Sequence, residues 1–229
     1  MTLFPAVMRV HSRSRSNHNP CRFQPEAIVA DSRSYPSYPD SIGTGFRGGT
    51  LSGPEKVDHL SRVAREALMV SAEKSGVALR DLHQDRNGAP RPIDNIYWSL
   101  SHKPKYVAAV VSRSPIGIDV EEIKPRTESL FPYVASNEEW NLADRSWGTF
   151  FRYWTAKEAA LKAVGIGIGG LKTCRVASVL DQNHIVLDYK GQLFLIEHLW
   201  YDNHIVSVVK DDNNIEWILI DARQSAGTA

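Results

Sequence analysis

Arg152-Tyr153-Trp154-Thr155-Ala156-Lys157-Glu158-Ala159-Ala160-Leu161-Lys162-Ala163-Val164 reads as a helix. Ala, Lys, Glu and Leu are strong helix formers, and Gly165 stands where a C-terminal glycine cap belongs. Trp154, Leu161 and the alanines supply an apolar stripe. Glu158 and Lys162, four residues apart, share a face. Upstream, Pro115-Ile116-Gly117-Ile118-Asp119-Val120-Glu121-Glu122 reads as a strand. Period 2 sets Asp119 and Glu121 on one face, with Ile118 and Val120 opposite. Two carboxylates on a strand and one on a helix suit a hard divalent cation that keeps waters and takes phosphate oxygens as further ligands. Glu158 also admits a structural reading. Thr155-x-x-Glu158 is a capping-box pattern, and Glu158–Lys162 is a helix ion pair of only about 0.3–0.5 kcal/mol. Against the cap, Tyr153 and Trp154 look like the continuation of a helix already begun.

Working outward, residues 96–100 and 106–112 read as strands, with Ser101-His102-Lys103-Pro104 as the turn between them. Residues 51–74 read as a long helix, opened by Ser52 and Glu55 as a capping box and Pro54 early in the first turn. Ser136 and Glu139 repeat the capping pattern. Residues 165–170 are a glycine-rich turn. They follow a helix, whereas a phosphate-binding loop of the dinucleotide type lies between strand and helix. Residues 176–180, 184–189, 193–198, 205–210 and 215–220 alternate as strands of an antiparallel sheet. Before residue 50 the chain reads mainly as loop, with a short strand at 26–30 and a basic, polar run at 11–18.

A weak internal repeat links the two ends. Ala64-Arg65-Glu66-Ala67-Leu68 resembles Ala156-Lys157-Glu158-Ala159-Ala160-Leu161, and a valine-rich strand follows each. The expected fold is therefore α+β. Two pseudo-symmetric halves each carry a small antiparallel sheet and a long helix, with an active site in the cleft between them. Residues 1–50 form a loop-rich N-terminal segment, 51–115 the first half and 116–229 the second, which carries the metal site.

The 229 residues have a formal net charge of +1, which argues against wholesale nucleic-acid binding. The two cysteines, Cys21 and Cys174, form no zinc pattern and no disulfide framework, so a reducing cytoplasm is expected. No apolar run approaches the length needed to span a bilayer. Ser101-His102 offers no hydrolase, because adjacent residues make a poor nucleophile and base and no Gly-x-Ser-x-Gly elbow is present.

In combination these motifs resemble the 4′-phosphopantetheinyl transferase superfamily, in its two-repeat type, over most of residues 51–210. Trp98-Ser99-Leu100-Ser101-His102-Lys103 is similar to that family's Phe/Trp-Asn-x-Ser-His-Ser element, and Gly88-Ala89-Pro90 stands at its Gly-Lys-Pro element. Gly117 to Glu121 and Trp154 to Lys162 match its last two elements closely. The sequence departs from the pattern at Ala89, where Lys is usual, at Lys103, where Ser is usual, and at Ser61, where Arg is common.

The resemblance implies transfer of the 4′-phosphopantetheine arm of coenzyme A to a serine of an apo acyl or peptidyl carrier protein, with release of adenosine 3′,5′-bisphosphate. It implies Mg²⁺ on Asp119, Glu121 and Glu158. Glu158 would serve as base and Lys162 would stabilise the phosphate charge. Arg65, Ser101, His102, Lys157 and Lys162 would bind coenzyme A. Arg62, Arg86 or Arg91 would replace the lysine missing at Ala89. A monomer is expected, with no membrane or nucleic-acid partner. Two alternatives stand beside this reading. One is a non-catalytic relative that binds coenzyme A or a carrier protein. The other is an unrelated Mg²⁺-dependent phosphoryl-transfer enzyme.

Overall fold

Stretches of alternating Val, Ile and Ala between turn residues become strands in this chain, and helices form where Ala, Leu, Glu and Lys dominate. The computed structural model describes residues 6–10, 23–33, 53–86 and 88–221. In chain order these form β1 (Ala6–Val10), β2 (Glu26–Asp31), α1 (Gly53–Lys74), β3 (Tyr97–His102), β4 (Tyr106–Ser112) and β5 (Ile118–Glu122). There follow α2 (Phe131–Val134), α3 (Asn137–Trp140), α4 (Trp147–Ala163), β6 (Cys174–Val179), β7 (His184–Tyr189), β8 (Gln192–Tyr201), β9 (His204–Val209) and β10 (Glu216–Asp221). The basic run at 11–18, Cys21 and Ser52 of the first expected capping box lie outside the described residues.

Two five-stranded sheets result, ordered β1-β10-β2-β4-β3 and β5-β9-β8-β7-β6. One long helix covers each. Ile28, Val107, Ala109 and Val111 face Val63, Ala64, Ala67 and Leu68 of α1. Their alternate neighbours Val29, Tyr106, Ala108 and Val110 turn the other way and meet Ile118, Val120, Val206 and Val208 between the sheets. β4 is therefore buried at every position, as a strand with a layer on each side must be. The third core packs α4 through Tyr153, Ala156, Ala160 and Leu161 onto the second sheet's Ile185, Leu187, Ile196 and Ile205. The α+β class expected from the sequence is the one observed.

Three local expectations change. Residues 215–220 do not extend the second sheet. β10 returns to the first, between β1 and β2, antiparallel to one and parallel to the other. Its Ile218 and Ile220 lie under α1 while Trp217 and Leu219 lie between the sheets, so its pattern suits either sheet. Ser101 and His102 are the last residues of β3, not its turn, and the Lys103 N–H closes that turn on the Tyr106 carbonyl at 2.8 Å. The helix around residue 158 starts at Trp147, where the Ser146 hydroxyl caps it by accepting the Thr149 N–H. Thr155 thus lies mid-helix and bonds back to the Phe151 carbonyl at 2.8 Å, which removes the capping reading of Glu158.

Other local signals hold. Ser136 and Glu139 form a reciprocal capping box. Gly165 takes φ +69° and ends α4, with its N–H on the Lys162 carbonyl and the Ile166 N–H on that of Leu161.

Candidate active site

Three elements meet around one wall. The ends of β3 and β5 lie beside the last turns of α4. The approach of α4 to β5 depends on Gly117, because a Cβ there would sit 1.9 Å from the Ala159 carbonyl oxygen. With α4 so close, the face of β5 that carries Asp119 and Glu121 looks onto the helix face that carries Glu158 and Lys162.

Asp119 is buried, and its Oδ1 accepts from the Ser101 hydroxyl at 2.7 Å and from Lys162 Nζ at 2.8 Å. Its Oδ2 is buried with no hydrogen-bond partner, and so is Glu158 Oε1. Lys162 does not pair with Glu158 as helix spacing suggested. Its ammonium reaches across to Asp119 and also donates to the Ile118 carbonyl at 3.0 Å. Glu121 pairs instead with Lys103, Nζ to Oε1 2.8 Å.

Burial pushes the Glu158 carboxyl above its ordinary range, the Asp119 charge adds to this, and Lys162 opposes it. Burial likewise raises Glu121, with Lys103 pulling the other way. His102 is lowered by burial and then by Lys103 and Lys162, which favours neutral imidazole.

Next to these groups opens a cavity of about 430 Å³ lined by Gly88, Ala89, Trp98, Glu158, Lys162 and Ile166, among others. Among the described residues no three His, Cys, Asp or Glu side chains already converge as a coordination shell. Lys162 and Lys103 hold Asp119 and Glu121. The two unpartnered oxygens are what remains open. A buried carboxylate oxygen without a donor is costly, and a hard cation satisfies such oxygens well.

The sequence-predicted residues divide cleanly. Asp119, Glu121, Glu158, Lys162 and Ser101 come together, and His102 lies near enough to Lys103 and Lys162 to feel their charge. Lys157 does not, because its side chain is 1 % exposed and turned into the core, where Nζ donates to Glu139 Oε1 and the Val134 carbonyl, each at 2.7 Å. Adjacent residues on a helix point about 100° apart, so Lys157 and Glu158 cannot serve the same cleft. Arg65 lies on the exposed face of α1, outside the cavity lining. Arg62 bonds Glu66 and His59. Arg86 and Arg91 are exposed and outside the lining too, although Gly88, Ala89 and Pro90 of the same loop form part of it. Lys103 emerges as a member of the site, and its signal in the sequence was a cation directly after Ser101-His102.

Residues 115–209 match the model of the 4′-phosphopantetheinyl transferase superfamily. A protein of Haemophilus influenzae, provisionally named a 4′-phosphopantetheinyl transferase, is 32 % identical over 144 residues, or 58 % of this chain and 60 % of that protein. The 4′-phosphopantetheinyl transferase psf-1 of Bacillus pumilus is 37 % identical over 89 residues, covering 36 % of this chain and 38 % of the relative. HetI of Nostoc, also named a 4′-phosphopantetheinyl transferase, is 36 % identical over 90 residues, covering 36 % and 38 %. The chain thus spans between about two fifths and three fifths of these relatives' lengths. All four residues that β5 and α4 bring to the cleft fall inside the segment that matches the 4′-phosphopantetheinyl transferase superfamily.

Proposed function

We propose that this protein transfers the 4′-phosphopantetheine arm of coenzyme A to a serine of an apo acyl or peptidyl carrier protein and releases adenosine 3′,5′-bisphosphate. One observation carries the reading: Asp119 Oδ2 and Glu158 Oε1, buried and unpartnered, lie beside a pocket that Lys162 also lines. The match of residues 115–209 to the family model and the relatives' names support the reaction class. Asp119, Glu121 and Glu158 are the residues that would hold Mg²⁺, which when bound neutralises pyrophosphate charge as a Lewis acid.

The chain's own groups take the remaining roles. Glu158, whose proton affinity burial and Asp119 raise, accepts the proton of the carrier serine. Lys162, fixed by the Ile118 carbonyl and Asp119, sets a positive charge against the phosphate that departs. Ser101 gives its hydroxyl to Asp119 and so orients that carboxylate. His102, at the end of β3, would donate to a phosphate oxygen. Arg65 and Arg86 remain contacts for the outer, solvent-facing part of coenzyme A. The reading includes a monomeric cytoplasmic enzyme with no nucleic-acid or membrane partner. No described helix is long and apolar enough to cross a membrane.

The test is intact-protein mass spectrometry of an apo carrier protein incubated with coenzyme A, Mg²⁺ and this protein. A mass gain of one phosphopantetheine per carrier is expected, lost in excess chelator. An unmodified carrier with coenzyme A still bound favours the non-catalytic alternative, and hydrolysed nucleotide favours the unrelated phosphoryl-transfer enzyme.

A further inference from the structure

We propose that Lys103 is a built-in counter-cation of this site. Its ammonium holds Glu121 while no divalent cation is present, yields that carboxylate when one binds, and then serves a phosphate oxygen of the nucleotide. The inference rests on the reading of Asp119, Glu121 and Glu158 as the dication's ligands.

The two lysines of the cleft are built differently. Lys162 Nζ touches Asp119, the Ile118 carbonyl and, at 3.5 Å, the Leu100 carbonyl. It has acceptors left if Asp119 turns to a metal. Lys103 Nζ has its ion pair with Glu121 at 2.8 Å, and its side chain is 34 % exposed against 13 % for Glu121. Its backbone is pinned where the Lys103 N–H closes the β3–β4 turn on Tyr106. Four flexible methylenes separate that anchor from the charge, so the ammonium can leave Glu121 with no change in the main chain.

The charges make this movement necessary. Three carboxylates face two ammonium groups: Lys103 pairs with Glu121 and Lys162 with Asp119, and Glu158 Oε1 has no donor. A dication that reached Glu121 beside Lys103 would bring like charges within a few ångströms. That repulsion works against the dication for as long as the ammonium stays on Glu121. Lys103 must therefore give way. It follows His102 directly, and the pocket wall at Ala89 offers no charge. A phosphate oxygen of the bound nucleotide then takes the freed ammonium.

The experiment measures binding rather than turnover. Mn²⁺ alone is titrated into the full chain and followed by the loss of its free electron-spin-resonance signal, for wild type, Lys103→Gln, Lys103→Ser and Asp119→Asn. Adenosine 3′,5′-bisphosphate is then titrated by calorimetry at saturating Mn²⁺. Both Lys103 variants are expected to bind Mn²⁺ about fivefold tighter, the upper range for a partly exposed ion pair. They are expected to bind the nucleotide at least about fivefold more weakly. Mn²⁺ affinity unchanged or weakened in both variants, with Asp119→Asn abolishing binding, overturns the inference and leaves the dication site standing. Unchanged nucleotide affinity overturns the transfer of the ammonium to phosphate. Absence of Mn²⁺ binding in wild type and variants alike overturns both the inference and the metal reading beneath it.

Discussion

Lys157 and Glu158 are neighbours on α4 with opposite surroundings. Glu158 looks into the cleft. Lys157 is buried against Glu139, which also accepts the Val176 N–H at 2.8 Å and completes the capping box with Ser136. One ammonium thereby ties α4 to α3 and to the first strand of the β6–β7 hairpin. Removing one partner of a buried pair leaves the other charge unpaired, at a cost of about 3–5 kcal/mol. Lys157→Met should lower the free energy of unfolding in urea by about that amount, while the KM for coenzyme A of the folded fraction stays near wild type. A variant of normal stability with a raised KM would return Lys157 to the coenzyme A site. The sequence placed Lys157 there because it stands inside the matching motif. A linear motif does not say which helix face each member occupies until the helix has something to pack on.

At the scale of elements, the spacing of α4 from β5 decides whether Asp119 and Glu158 can act together. Gly117 sets it. An added Cβ would meet the Ala159 carbonyl oxygen at 1.9 Å and the Ala163 nitrogen at 2.8 Å, both backbone atoms that cannot swing aside. Gly117→Ala should therefore move the helix and destabilise the protein by about 1–3 kcal/mol or more, as overpacking does. It should also weaken Mn²⁺ binding, while a half-buried control such as Gly148→Ala neither destabilises the protein nor changes Mn²⁺ binding, since only the Ser146 hydroxyl comes near its added Cβ. Unaltered Mn²⁺ affinity in folded Gly117→Ala would mean that the two carboxylates do not depend on this contact.

Much at this scale was legible beforehand. The Ser136–Glu139 box, the Gly165 cap, α1 and the strand 184–189 rest on signals a few residues long. The opening of α4 was read late, because Trp147 to Trp154 is aromatic and resembles a strand as much as a helix. β1 was missed, since Pro5 and a short apolar run argue against a strand when no partner is known.

At the scale of the whole molecule, the cleft takes Ser101 and Lys103 from the end of the first sheet and Asp119, Glu121, Glu158 and Lys162 from the second sheet and its helix. β10 crosses back into the first sheet, and its Trp217 indole N–H donates to Glu197 of β8 in the second at 2.8 Å. The two sheets are thus tied together. Sequence alternation showed that strands existed but not which sheet each would join, because a strand apolar on both faces fits either sheet.

The central claim is that Glu158 acts in the cleft and carries no share of the fold. Its Oε1 has no donor to lose, so Glu158→Gln should leave the melting temperature at or above wild type. The amide carries no charge and cannot accept the serine proton. In one assay, holo-carrier formed and adenosine 3′,5′-bisphosphate released are counted together for wild type and Glu158→Gln at saturating Mg²⁺. The account predicts one nucleotide per carrier for wild type, and a rate at least about a hundredfold lower for the variant at unchanged stability. A Glu158→Gln enzyme that modifies the carrier at the wild-type rate would contradict it.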